Sequence, residues 1–205
     1  MSVCKKCRRE GEKLFLKGER CLLPKCAMVK KNYPPGQHGN KGQRRLTEYG
    51  TQLLVKQRIK NIYGLSERQL RNYFGKVKSK QGDVGELLLE KLEMRLDNAV
   101  FRSGLADSRN QARQMVGHGF FKVNGRKVDI ASFNVRTGDE IEIKQGKLKK
   151  KLIKDKLKKV EKADSPADWI VWDPAKGMIK VIDRPDTDKL EEKKKVQMVI
   201  EYYSR

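Results

Sequence analysis

After residue 26 the chain has no cysteine, and in 205 residues it has only two histidines, His38 and His118. The first absence excludes a disulfide framework for most of the molecule; a chain of this length can bury a core without one. The second leaves little for general acid–base chemistry. His38 stands in a basic loop and His118 beside glycines at a helix-to-strand turn, neither near a nucleophile motif, so hydrogen bonding suits both better than catalysis. There is no Walker loop and no G-x-G-x-x-G. No enzyme-like convergence of acid, base and nucleophile is visible. No stretch is long and apolar enough to span a bilayer, and the first residues lack the apolar region of a signal peptide. These absences point to the cytosol, where thiols stay reduced. Acids are scarce too: 26 Asp+Glu stand against 48 Lys+Arg, a net charge of +22. That charge repels itself in a compact state and calls for an acidic partner, nucleic acid first.

The excess is uneven, +15 on residues 1–85 and +7 on residues 86–205. All four cysteines lie in the more basic part, in MSVCKKCRREGEKLFLKGERCLLPKC. Cys4 and Cys7 form C-x2-C; Cys21 and Cys26 form C-x4-C thirteen residues on. Two such knuckles facing each other build a closed tetrahedral site for zinc. An iron–sulfur cluster is the alternative for four thiolates, and disulfides or inert thiols are the plain reading. The cations around the cysteines would lower the thiol pKa values and offset the charge of a thiolate site. Either metal would be structural, since no ligand position stays open.

Between the cysteines, EGEKLFLKG reads as a helical turn ending at Gly18. KKNYPPGQHGNKGQRR, residues 30–45, has no acid and no apolar face. It reads as a flexible linker or, given its charge and glycines, as an RNA-contacting loop. Helices are expected from Tyr49 to a stop at Gly64, and over residues 67–80 behind an S-x-x-Q capping box, Ser66 and Gln69. GELLLEKLEMRLDNAVFRSG reads as one helix behind Asp83, ending at Gly104. SRNQARQMVG follows, capped by Ser108, with Ala112, Met115 and Val116 as its buried stripe. Arg109 and Arg113, four apart, should point outward together, so that alanine at both would leave the fold intact. FFKVNGRKV is a hairpin signal around Asn124-Gly125, a type I′ turn. FNVRTGDEIEIK suggests a second strand pair around Thr137–Asp139. Residues 147–162 read as a basic amphipathic helix facing RNA or solvent, and ADWIVWDPAKGMIKVIDRP as two strands with Trp169 and Trp172 as packing residues. VQMVIEYYSR reads as a terminal strand.

The stretch MRLDNAVFRSGLADSRNQARQMVGHGFFKVNGRKVDIASFNVRTGDEIEI, residues 94–143, resembles the RNA-binding module first named for ribosomal protein four of the small subunit. That module also occurs in pseudouridine synthases, which need a long catalytic domain for which this chain has no room, and in tyrosyl-tRNA synthetases. GEKLFLKGERC, YPPGQHG and the terminal IEYYSR extend the resemblance to the bacterial small-subunit protein four family in its zinc-binding, four-cysteine form, and it covers about residue 4 to 205. The resemblance implies an α+β protein: an N-terminal metal-bound segment, a small helical domain, and an RNA-binding module of two helices packed on a small antiparallel sheet. The expected divisions are residues 1–45, residues 46–84 joined by 196–205, and residues 85–195. It further implies direct binding to small-subunit rRNA at a multi-helix junction, a role in nucleating assembly, contact with small-subunit protein five, a place near the mRNA entry path, and an influence on accuracy. No membrane and no small-molecule substrate are expected.

The candidate metal ligands are Cys4, Cys7, Cys21 and Cys26. The candidate RNA contacts are Lys30, Lys31, His38, Lys41, Arg44, Arg45 and Arg58 in the first part, and Arg95, Arg109, Arg113, His118, Lys122, Asn124, Arg126 and Lys127 in the second. A zinc-containing DNA-binding regulator is the competing reading. It would want a dimer interface and one base-reading helix, whereas the cations here are spread along the whole chain.

Overall fold

The computed structural model describes residues 2–41, 45–148, 153, 156–157, 167–173 and 177–205. The chain folds as two compact units: residues 1–88 with 191–205, and residues 89–190.

In the first unit, α1 spans Val3–Glu10 and stops where Gly11 turns to φ 74°. The expected helical turn at EGEKLFLKG is absent. Leu14 and Leu16 are buried, and Phe15 between them takes φ 49° and points outward, so the segment is an irregular turn. A 3₁₀ turn carries Gly18–Cys21, and α2 is the short Ala27–Lys30. Residues 30–41 are not a bare linker. The Arg8 guanidinium donates to the Tyr33 and Pro34 carbonyls at 2.9 and 3.2 Å and lies 4.7 Å from the Tyr33 ring centre. Gly39 is pressed so close that a Cβ would fall 2.0 Å from the Pro34 carbonyl oxygen.

Helix α3, Glu48–Ile62, begins at Thr47, whose hydroxyl accepts from the Gly50 N–H, and gives way to Gly64 at φ 61°. Helix α4, Glu67–Lys78, carries the full capping box of Ser66 and Gln69. The chain end is a helix, Lys193–Ser204, and not the strand expected from its β-branched and aromatic run. Val196 and Val199 recur at helical spacing and are buried; packing on a neighbour overrides local strand preference. Phe74 of α4 stacks on Tyr203 of the terminal helix at 5.0 Å.

Helix α5, Val84–Glu93, starts at Asp83, whose carboxylate accepts from the Gly85 and Glu86 N–H groups. The single long helix expected from here to Gly104 is broken in two. Arg95 is extended, at φ −79° and ψ 141°, before α6, Leu96–Arg102. The break has a partner: Leu96 N–H donates to the Phe133 carbonyl, Val135 N–H to the Met94 carbonyl, and Arg95 bridges Asn134. Hence the second strand pair expected around Thr137–Asp139 does not form, because residues 133–135 are occupied at the helix break.

Helix α7 is Arg109–Gly117, with Ala112, Met115 and Val116 buried as expected. Strands β1 (Phe121–Val123) and β2 (Arg126–Lys127) form the hairpin, with Asn124 and Gly125 at φ 48° and 75°, as a type I′ turn requires. β3 is Glu140–Ile143, the short α8 is Gln145–Leu148, and β4 (Ile170–Asp173) and β5 (Met178–Val181) are the strands expected near the C-terminus. The sheet is antiparallel, in the order β2-β1-β3-β5-β4. With α6 and α7 it encloses one core, which includes Leu96, Val116, Phe121, Ile141, Trp169 and Ile179, with Trp172 packed against it. Most of the lysine-rich run 147–162 lies outside the described residues. Within it, Ile153 is buried in this core and the buried Lys156 pairs with Asp107. The terminal helix is α9 below.

Candidate nucleic-acid interface

The centre of the second unit is a charge network built on two buried carboxylates. Glu93 is 0% and Asp97 3% exposed. Glu93 accepts from Arg102 at 2.8 and 2.9 Å and from Asn98 at 2.8 Å, with Arg109 at 3.5 Å. Asp97 accepts from Arg95 at 3.0 and 2.8 Å and from Arg113 at 3.0 and 2.7 Å. A buried carboxylate is tolerated only when paired and hydrogen-bonded, and here each is held by two arginines.

This network reassigns three of the sequence candidates. Arg95 is 2% exposed and serves Asp97; it is no surface contact. Arg109 also donates to Asn98 Oδ1 at 2.7 Å and lies 4.7 Å over the Phe101 ring. Arg109 and Arg113, with side chains 16% and 34% exposed, are therefore half-buried supports and not outward arms. The expectation that alanine at both leaves the fold intact fails for that reason, since it would strip partners from buried anions. Glu93, Asp97 and Asn98 were missed in the sequence. Their signal was an acid on the apolar face of Leu89, Leu92 and Leu96.

The remaining candidates of this unit lie around the hairpin. His118, Asn124, Arg126 and Lys127 are exposed and Lys122 is half-buried. Lys122 faces Lys127 across the β1–β2 pair. The Asn124 side chain is engaged within the fold, donating to Asp139 and accepting from the Glu140 N–H, both at 2.9 Å. Lys127 reaches Asp129 at 3.5 Å.

In the first unit, Lys30, Lys31, His38, Lys41 and Arg45 are exposed; Arg44 lies outside the described residues. Arg58 is largely buried and ion-paired with Glu12, which turns it inward. The four thiols are free, and all line a single cavity of about 20 Å³ with Val3, Leu16, Lys17, Ala27 and Met28. Cys4 and Cys7 sit on one face of α1, not on a tight turn. Burial pushes the Cys7 thiol up, and the neighbouring Cys21, Cys4 and Cys26 add to this against a hydrogen bond with the Leu14 backbone. Among the described residues, no group of three or more His, Cys, Asp or Glu side chains is placed so as to hold a metal ion. By donor type alone, four sulfurs among apolar walls are the ligands a soft dication takes.

A family model described as the S4 domain matches residues 94–141, and one described as the Ribosomal protein S4/S9 N-terminal domain matches residues 1–93. The two matches together cover residues 1–141 and mark the class as that of RNA-binding ribosomal proteins. The protein named small ribosomal subunit protein uS4 of Thermus thermophilus is 48% identical over 203 residues, covering 99% of this chain and 97% of its own. Those of Thermodesulfovibrio yellowstonii and Syntrophomonas wolfei are 46% and 45% identical, each covering 100% of this chain and 97% of its own. The chain belongs to the small ribosomal subunit protein uS4 family.

Proposed function

We propose that this chain is a structural constituent of the small ribosomal subunit, in cytoplasmic ribosomes, and binds small-subunit rRNA directly. One observation carries the reading: the division of charge. Glu93 and Asp97 are consumed inside the fold by its own arginines, while Lys30, Lys31, Lys41, Arg45, Arg126 and Lys127 stand exposed on a chain of net charge +22. Folded RNA is recognised mostly through shape, phosphate and ribose. A rigid cationic body lets RNA helices that repel one another approach, and it gains free energy as counterions are released.

In this reading the binding site is a multi-helix junction, and binding there nucleates assembly. Contact with small-subunit protein five, a position near the mRNA entry path and an influence on translational accuracy follow from the family resemblance. Cys4, Cys7, Cys21 and Cys26 would hold a zinc ion. The ion's chemistry would be that of a structural cross-link, holding the thiols as thiolates. An iron–sulfur cluster, which takes the same four thiolates, is the alternative. The chain's own part is to bring α1 and the 3₁₀ turn of Gly18–Cys21 to the thiol-lined cavity and to keep it apolar.

The test is a chemical footprint on small-subunit rRNA, with binding to the folded junction and to duplex DNA compared at the same salt. Protection at a helix junction and preference for the rRNA are expected. Equal binding to duplex DNA would favour the regulator reading.

A further inference from the structure

Residues from three separate parts of the second unit enclose a cleft of about 340 Å³. Lys91 comes from α5, Arg136 and Thr137 from the turn before β3, and Arg184 from the segment after β5. None of the three cations stands among the contacts read from the sequence. The one carboxylate lining the cleft is Glu90, 3.8 Å from Arg184 Nε. Lys91, Arg136 and Arg184 against Glu90 leave the cleft with an excess of positive charge. Like charges converging on one concavity repel, and an anion between them removes that cost.

Arg136 is also held in place. Its own N–H donates to Asp139 Oδ2 at 2.8 Å, the Val135 N–H before it to the Met94 carbonyl at 2.9 Å, and Asn134 bridges Arg95. Its side chain is exposed, as is that of Arg184, at 74%. The turn is therefore fixed by its backbone while its guanidinium faces solvent at the cleft. The backbone of the turn is thus preorganised, and only side-chain ordering is left to binding.

We propose that this cleft seats the phosphodiester backbone of an RNA strand, as an RNA-contacting surface distinct from the β1–β2 hairpin. The proposal rests on the rRNA-binding reading above. Guanidinium groups match phosphate oxygens by bidentate hydrogen bonding, the Thr137 hydroxyl adds a neutral donor, and Glu90 keeps Arg184 over the cleft until phosphate competes for it. A polar, cation-rich concavity suits phosphate rather than a stacked base.

The experiment uses the full-length protein and a small-subunit rRNA fragment carrying the footprinted junction, titrated across a salt series. Arg136→Ala with Arg184→Ala should keep wild-type unfolding behaviour, since both side chains are exposed. It should lower the slope of log K against log salt by about one to two, with weaker binding at low salt. Arg136→Lys with Arg184→Lys should restore the slope but only part of the affinity. A folded double-alanine variant with wild-type affinity and slope overturns the proposal and leaves the cleft to an acidic protein segment. A wild-type protein that fails to bind the fragment overturns the rRNA reading and this proposal together.

Discussion

Asp97 holds two arginines at once, Arg95 from the helix break and Arg113 from α7. Removing a buried anion strands the cation that remains, and that costs about 3–5 kcal/mol. Asp97→Ala should lose stability of that order in urea unfolding of the full chain, chiefly through Arg95. Arg113→Ala should cost less, since its side chain reaches solvent. RNA-binding losses in Arg109 or Arg113 variants therefore have meaning only beside a measured stability. A second titratable centre lies in the first unit. Glu67 accepts from Lys56 at 2.7 Å, Lys60 at 3.2 Å and the Tyr203 hydroxyl at 2.8 Å. Burial pushes the Glu67 carboxyl up, but these three hydrogen bonds outweigh it and hold it below the usual glutamate range. Burial, and then Glu67, push the Tyr203 hydroxyl well above its ordinary value, so it stays a donor. A depressed folded-state carboxylate stabilises above the unfolded pKa and loses that contribution as pH falls through the folded one. The helical unit should therefore weaken on acidification below the usual glutamate range. Glu67→Gln should flatten that part of a stability–pH curve; an unchanged curve would assign the acid sensitivity elsewhere.

At the scale of elements, α9 depends on a close approach. A Cβ at Gly85 of α5 would stand 2.7 Å from Val196 Cγ1 and 3.3 Å from Ile200 Cδ1. Gly85 allows α5 and α9 to pack this closely, though glycine is a poor helix former. Gly85→Ala should lower the melting temperature despite the better helix propensity, and Val196→Ala added to it should recover part of the loss. Strict additivity in that double-mutant cycle would show that the two sites do not meet. The local signals of other elements were readable because they act within a few residues: the Ser66–Gln69 box, the Gly64 stop and the Asn124-Gly125 turn need only their neighbours in sequence. The break at Arg95 was not, because its cause is the segment of residues 133–135, and the chain between carries no mark of that pairing.

For the whole molecule, charge and division into units set the behaviour. If roughly six to ten phosphates are neutralised, rRNA affinity should fall about 10³–10⁵-fold between about 50 and 200 mM salt; a nearly flat binding constant would reject the counterion mechanism. Each unit has its own buried residues, Ile59, Leu70 and Val199 in the first and the sheet core in the second. If the proposed zinc site is real, Cys7→Ser or Cys26→Ser should lower the metal content of the purified protein and loosen residues 1–45, while hydrogen exchange across α7 and the sheet stays protected. Purified protein without metal, whose four thiols all react freely under native conditions, would end the zinc reading.

Composition and short-range pattern alone determined that this is a basic, RNA-seeking protein with four paired thiols at one end, several capped helices and an antiparallel hairpin. Charge sums, ligand spacings and cap residues are local quantities, so they survive without coordinates. Tertiary structure decided the rest: that Arg95 and Arg58 turn inward, that Arg109 and Arg113 answer buried carboxylates, that the last residues form a helix, and that Lys91, Arg136 and Arg184 share one cleft. Arg95 answers Asp97 only two residues on, but at a break made by residues 133–135, and in the other cases the outcome hangs on a partner further away in sequence. The side chain of an arginine looks the same in a sequence whether it meets a buried aspartate or a phosphate, and only packing, by withdrawing water from one of them, settles which charge it answers.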